Sequence, residues 1–109
     1  MLKEATILQV IPRPNDTKKN ILVQARHGNV SLNTAYYFHT KKSADFSKQA
    51  LEGIFSGKTI HQIAKEPDEL SGTKVKYLKT KKGEYTDTIF YPHTNQITAE
   101  AVGELLSEL

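Results

Sequence analysis

The sequence predicts a single α+β domain, rich in strand, with its elements in the order β-β-β-α-β-β-α. Three observations predict it. Apolar and alternating runs fill the chain up to about residue 40, the period then changes to a helical one over residues 43–66, and a hairpin pattern follows over residues 73–91. Three strands, a helical region and two more strands is the element order of an OB-like five-stranded barrel, and equally of an antiparallel sheet packed on helices. Both architectures remain open from the sequence.

The first strand is Ala5–Ile11, apolar and β-branched, closed by Pro12 and Pro14. A polar connection over residues 15–19 follows. In the second strand, Asn20–Arg26, Ile21, Val23 and Ala25 share one face, while Gln24 and Arg26 take the other. His27-Gly28-Asn29 is a tight turn. Along Val30–Thr40, Val30, Leu32, Thr34, Tyr36 and Phe38 alternate with Ser31, Asn33, Ala35, Tyr37 and His39. Tyr36 and Phe38 are therefore expected in the core, and Tyr37 and His39 in solvent.

Ser43 is positioned to cap a helix whose inward residues are Phe46, Ala50, Leu51, Ile54 and Phe55, with Gly57 ending it. Thr59 and Gln62 have capping-box spacing, which predicts a second short helix to about Glu66. Residues 67–72 read as a loop. Thr73–Thr80 and Tyr85–Tyr91 read as a hairpin around Lys81-Lys82-Gly83-Glu84. A last helix is expected from Thr98, stapled by Ile97 and Val102. Its apolar stripe is Val102, Leu105, Leu106 and Leu109. Within one domain of 109 residues, residues 1–94 thus form a basic β-rich body and residues 95–109 an acidic amphipathic helix.

The formal charge is +3, and the last fifteen residues contribute −3, so residues 1–94 carry +6. A basic body favours polyanionic partners through Coulomb attraction and counterion release. The cations are grouped. Lys18-Lys19 falls between strands one and two, Lys41-Lys42 between strand three and the helix, and Lys81-Lys82 between strands four and five. In an OB-like barrel these connections border the ligand face, and strands two and three form its floor. The expected nucleic-acid-binding set is Lys18, Lys19, Arg26, Tyr37, His39, Lys41, Lys42, Lys81 and Lys82. The lysines and arginine supply cations for phosphates, and Tyr37 and His39 supply rings for stacked bases, which favours single-stranded DNA or RNA.

The competing expectation is a small protein-interaction, inhibitor or accessory protein of a bacterium or mobile element, a source suited to the lysine and asparagine content. It would act through a protein partner or as a homodimer, with the Val102, Leu105, Leu106 and Leu109 stripe as the contact.

Enzymatic chemistry finds no constellation. The histidines are His27, His39, His61 and His93, none spaced as a metal pair, and there is no cysteine, so no metal or other cofactor is expected. His39-Thr40 and His93-Thr94 fail the His-x-Thr pattern of two-histidine phosphoesterases, because the threonine follows directly. The glycines are isolated, and no serine sits in a nucleophile elbow. The cysteine-free composition and the lack of a signal-like or membrane-spanning run predict a cytoplasmic protein without membrane association.

Overall fold

A computed structural model describes residues 2–93, with Lys82 described by its backbone alone. The element order is β1 (Lys3–Arg13), β2 (Asn20–His27), β3 (Val30–Tyr37), α1 (Lys41–Ile54), α2 (Ile60–Lys65), a 3₁₀ turn (Pro67–Leu70), β4 (Lys74–Lys82) and β5 (Tyr85–Pro92). The expected helix over residues 98–109, with Val102, Leu105, Leu106 and Leu109, lies outside the described residues.

The five strands form one antiparallel sheet in the order β3-β2-β1-β4-β5. Both tight hairpins place glycine first in a two-residue turn, Gly28 at φ 59° and Gly83 at φ 63°. That is the arrangement a II′ turn requires, since only glycine enters the left-handed region without strain.

β1 is shared between two neighbours. Lys3–Thr6 pairs with β4, and Thr6–Arg13 pairs with β2. Within the pairing with β2 the register slips at Leu8, which has no partner there. This bulge bends β1 and is held from the other side. Ile7 N–H donates to Thr73 O, Gly72 N–H donates to Ile7 O (2.8 Å each), and Ser71 Oγ donates to Leu8 O at 2.9 Å. Because β4 reaches only Thr6, Pro12 lies in a half of β1 with one free side. That is where a strand tolerates a residue without an N–H.

The bend curls the sheet, so that its two edge strands approach. Thr34 Oγ1 of β3 donates to Thr88 O of β5 at 2.8 Å. No backbone ladder joins β3 to β5 among the described residues. The architecture is therefore a curled five-stranded antiparallel sheet packed on helices, and a closed barrel would need the missing ladder.

The concave face holds the core. Ile7, Val23, Leu32, Val75, Tyr77 and Phe90 from the sheet meet Leu51, Ile54, Phe55, Ile63 and Leu70 from the helical segment in one buried cluster. Tyr36 is buried there and Phe38 packs against it, as the alternation predicts. Burial in this apolar setting pushes the Tyr36 phenol above its ordinary value.

α1 departs from expectation in its first two turns. Its cap is Thr40, not Ser43. Thr40 Oγ1 accepts from Ser43 N–H, and Ser43 Oγ accepts from Thr40 N–H, each at 3.0 Å. Lys41 and Lys42 consequently belong to the first helical turn. The second correction is Phe46, which is 70% exposed and not part of the core. The cause is Ser47, 2% exposed, whose Oγ donates to Tyr37 O at 2.6 Å. That bond turns the Ser47-Leu51-Ile54 face toward the sheet and leaves Phe46 outside. The second helix begins as expected, with Thr59 and Gln62 completing a capping box, while part of the expected 67–72 loop forms the 3₁₀ turn.

Leu51→Ala should therefore lower the unfolding free energy by about 2–5 kcal/mol, while Phe46→Ala should change it by less than about 0.5 kcal/mol. Urea denaturation of the two variants checks the orientation of α1, and comparable destabilisation of both would contradict it.

Candidate nucleic-acid interface

The convex face of β1, β2 and β3 is built in cross-strand rows. Thr6, Arg26 and Ser31 are aligned, then Gln9, Gln24 and Asn33, then Ile11, Leu22 and Ala35, and finally Arg13, Asn20 and Tyr37. Gln9 Nε2 donates to Gln24 Oε1 across this face. Arg26 and Tyr37 are exposed on it and Gln24 is half-buried.

The row of Arg13, Asn20 and Tyr37 closes one end of the sheet, and Asn20 organises it. Although it lies on the convex side of β2, Asn20 is 5% exposed, because the β1–β2 connection folds over it. Its Oδ1 accepts from Arg13 Nε at 2.9 Å, and its Nδ2 donates to Lys18 O at 2.6 Å and to Asp16 Oδ2 at 3.4 Å. Arg13 Nε also lies 3.6 Å from Asp16 Oδ2. The connection is fastened again when Phe38 N–H donates to Lys19 O at 2.7 Å.

These bonds bring two of the three lysine pairs together. Lys18 and Lys19 are exposed on the β1–β2 connection, and that connection is bonded to the segment running from Tyr37 into α1. On that segment lie Tyr37, His39 and then Lys41 and Lys42, of which His39 and both lysines are exposed. The Tyr37 and His39 rings meet edge to face, with centroids 5.8 Å apart and planes at 87°. Six of the nine expected residues, Lys18, Lys19, Tyr37, His39, Lys41 and Lys42, thus share one corner.

The third pair is elsewhere. Lys81 and Lys82 end β4 rather than standing in a loop. β4 runs antiparallel to β1 from Thr6 past Lys3, so the β4–β5 turn leaves the sheet at the end opposite the β1–β2 connection. Arg26 also lies toward that end, one row beyond Gln24.

Among the described residues, none of Lys18, Lys19, Arg26, Lys41, Lys42 and Lys81 is within ion-pair distance of a carboxylate. Three carboxylates are instead engaged by other cations. Glu4 lies 3.4 Å from Lys74 and 3.6 Å from His93, Glu69 lies 3.6 Å from Lys58, and Asp16 is held by Arg13. The Lys74 ammonium, donating to Glu4, does most to hold the Glu4 carboxyl below its ordinary value of 4.5; desolvation opposes it, and the charge of His93 adds to the lowering. Lys41 and Lys42 occupy the first turn of α1, which carries no acidic residue. Cations there oppose the helix dipole, at roughly 0.3–1 kcal/mol each.

Two residues central to this corner, Arg13 and Asn20, escape sequence reasoning. Asn20 sits where a strand begins and reads as one more solvent-facing polar residue. Only the fold-over of the connection buries it. Phe46 also escapes, for the opposite reason: its helical spacing reads as core.

Among the described residues no three His, Asp or Glu side chains gather as a metal site. Nor is any helix among them long and apolar enough to cross a membrane. No known protein family model matches the chain, and neither the curated proteins nor the solved structures contain a match.

Asn20→Ala should cost about 1–3 kcal/mol of unfolding free energy, since it leaves Lys18 O and the Arg13 guanidinium short of a partner. A wild-type transition midpoint in that variant would show that the connection is held by something else. Lys74→Met should raise the Glu4 titration midpoint in an NMR pH series. Because the folded carboxyl titrates below its unfolded value, the pairing stabilises the fold above about pH 4.5 and that stabilisation disappears as pH falls through the folded midpoint. An unchanged Glu4 midpoint would mean that Lys74 does not act on it.

Proposed function

We propose that this chain is a nucleic-acid-binding module for single strands, gripping phosphates at the Lys18-Lys19 and Lys41-Lys42 corner and stacking bases on the rings beside it. The observation that carries the reading is the Phe38-to-Lys19 backbone bond, which sets two exposed lysine pairs next to Tyr37 and His39. Charge alone would serve any polyanion. Exposed rings among the cations favour bases that have left a duplex stack, since only those present a free π-face.

Two further features support it. The first turn of α1 keeps two lysines where its own dipole disfavours them, and a bound phosphate would relieve that conflict. From the corner, the convex face continues through Gln24 to Arg26, six residues down β2, roughly 20 Å at the rise of a strand. Such a track spans several nucleotides. Lys81 and Lys82, at the far end of β4, would extend it for a longer strand.

An OB-like barrel left open at one seam is the fold proposed for this module. Its support is the pairing of β1 with both β2 and β4, together with the approach of β3 to β5 at Thr34 and Thr88. In OB folds the face of strands two and three is the ligand floor.

The test is binding of a fluorescent oligothymidine measured across a salt series. The wild type should bind at low salt, with affinity falling as salt rises. Lys18→Gln with Lys19→Gln, and separately Lys41→Gln with Lys42→Gln, should each flatten the log–log salt slope by about 0.7 for every phosphate that is no longer neutralised. If neither single strands nor duplexes bind at low salt, the reading fails.

A further inference from the structure

We propose that the groove between β3, α1 and β5 is a nucleobase slot in which Phe46 is the principal stacking ring. The proposal rests on the single-strand reading and deepens it. The groove encloses about 520 Å³, within the roughly 300–1,000 Å³ usual for small-ligand sites. Its walls carry Tyr37, Phe46 and Ile89, which are 42%, 70% and 40% exposed and are three of the six large apolar or aromatic side chains left in solvent among the described residues. Their convergence on one cleft is what calls for an occupant. Single exposed apolar residues need no explanation, whereas a cluster does.

Geometry limits what the occupant is. β3 and β5 are both edge strands, and an extended peptide would dock by inserting between them. The Thr34-to-Thr88 bond at 2.8 Å pins the two edges and leaves no room for another strand at that point. A flat ring, in contrast, fits beside the pin. Charge points the same way. Lys42 precedes Phe46 by four residues on α1, so the two lie on one helix face and a phosphate held by Lys42 would bring its base over the ring. Asn33 and Asp87 lie in the same groove. An acceptor-only carboxylate in the lining suits a donor on a base edge, whether a ring N–H or an exocyclic amine. The slot therefore favours an unpaired base joined to a phosphate chain over a peptide.

The chain contains no tryptophan, so Phe46→Trp places a single fluorescent reporter in the groove of the full-length protein. Three measurements on oligonucleotides at low salt test the proposal. Phe46→Ala should weaken oligothymidine binding by about 10-fold, with the salt slope unchanged because every phosphate keeps its lysine. Phe46→Trp keeps a stacking ring, so it should bind oligothymidine more tightly than Phe46→Ala, and its solvent-exposed emission should be quenched on binding. An abasic oligomer of equal length should leave that emission unquenched. If Phe46→Ala binds normally while the lysine variants are weakened, the slot is wrong and the single-strand reading stands. If the wild type binds no single strand, the reading itself has failed. Blue-shifted emission of Phe46→Trp before any nucleic acid is added would overturn the slot, because the ring would already be covered by this chain or by a second copy.

Discussion

The corner depends on one buried side-chain amide. Asn20 spends both ends of its carboxamide on the β1–β2 connection, accepting from Arg13 and donating to Lys18 O and Asp16. A buried amide is destabilising unless its donors and acceptors are satisfied, so the connection closes over Asn20 in one conformation. With the connection fixed, Lys19 O is in place to accept from Phe38 N–H. That bond sets where β3 ends, and Ser47 then seats α1 on Tyr37 O. The helix thereby starts with Lys41 and Lys42 beside the β1–β2 lysines and turns Phe46 outward. The chain of dependence runs from an amide to a loop, from the loop to a strand end, and from the strand end to the roll of a helix.

The curl of the sheet is the second constraint. β1 is too long to serve one neighbour, and the bulge at Leu8 divides it between β2 and β4. Without that bend, β3 and β5 would be the remote edges of a flat sheet and the groove between them would not exist. With it, the edges approach to one side-chain bond, and α1 packs against both. The groove and the charged corner are therefore two results of the same chain path, joined through the first turns of α1.

Much of this is legible in the residues. Alternation locates β2 and β3, because half-buried strands must place every second residue in the core; a proline-closed apolar run locates β1 and a hairpin pattern β4 and β5, and the observed ends differ by only a few positions. The capping box at Thr59 and Gln62 is readable for the same local reason. What escapes is non-local. The cap of α1 is Thr40 and not Ser43, since Ser43 can either cap or serve as the third residue of a box, and tertiary packing decides. Phe46 has core spacing but yields its place to Ser47. The bulge at Leu8 has no glycine or other local mark. Lys81 and Lys82 look like loop residues, yet they continue the β4 ladder to a two-residue turn. In each case an interaction distant in sequence, not a local preference, settles the outcome.

The most direct measurement of the corner's role is an amide chemical-shift titration of the isotopically labelled full-length chain with a short oligothymidine at low salt. Binding at the corner predicts the largest shifts at Lys18, Lys19 and the segment from Tyr37 to Lys42, with smaller ones along Gln24 and Arg26, all reversed by added salt. Shifts confined to residues 95–109, or spread evenly over the lysines without a maximum at that corner, would contradict it.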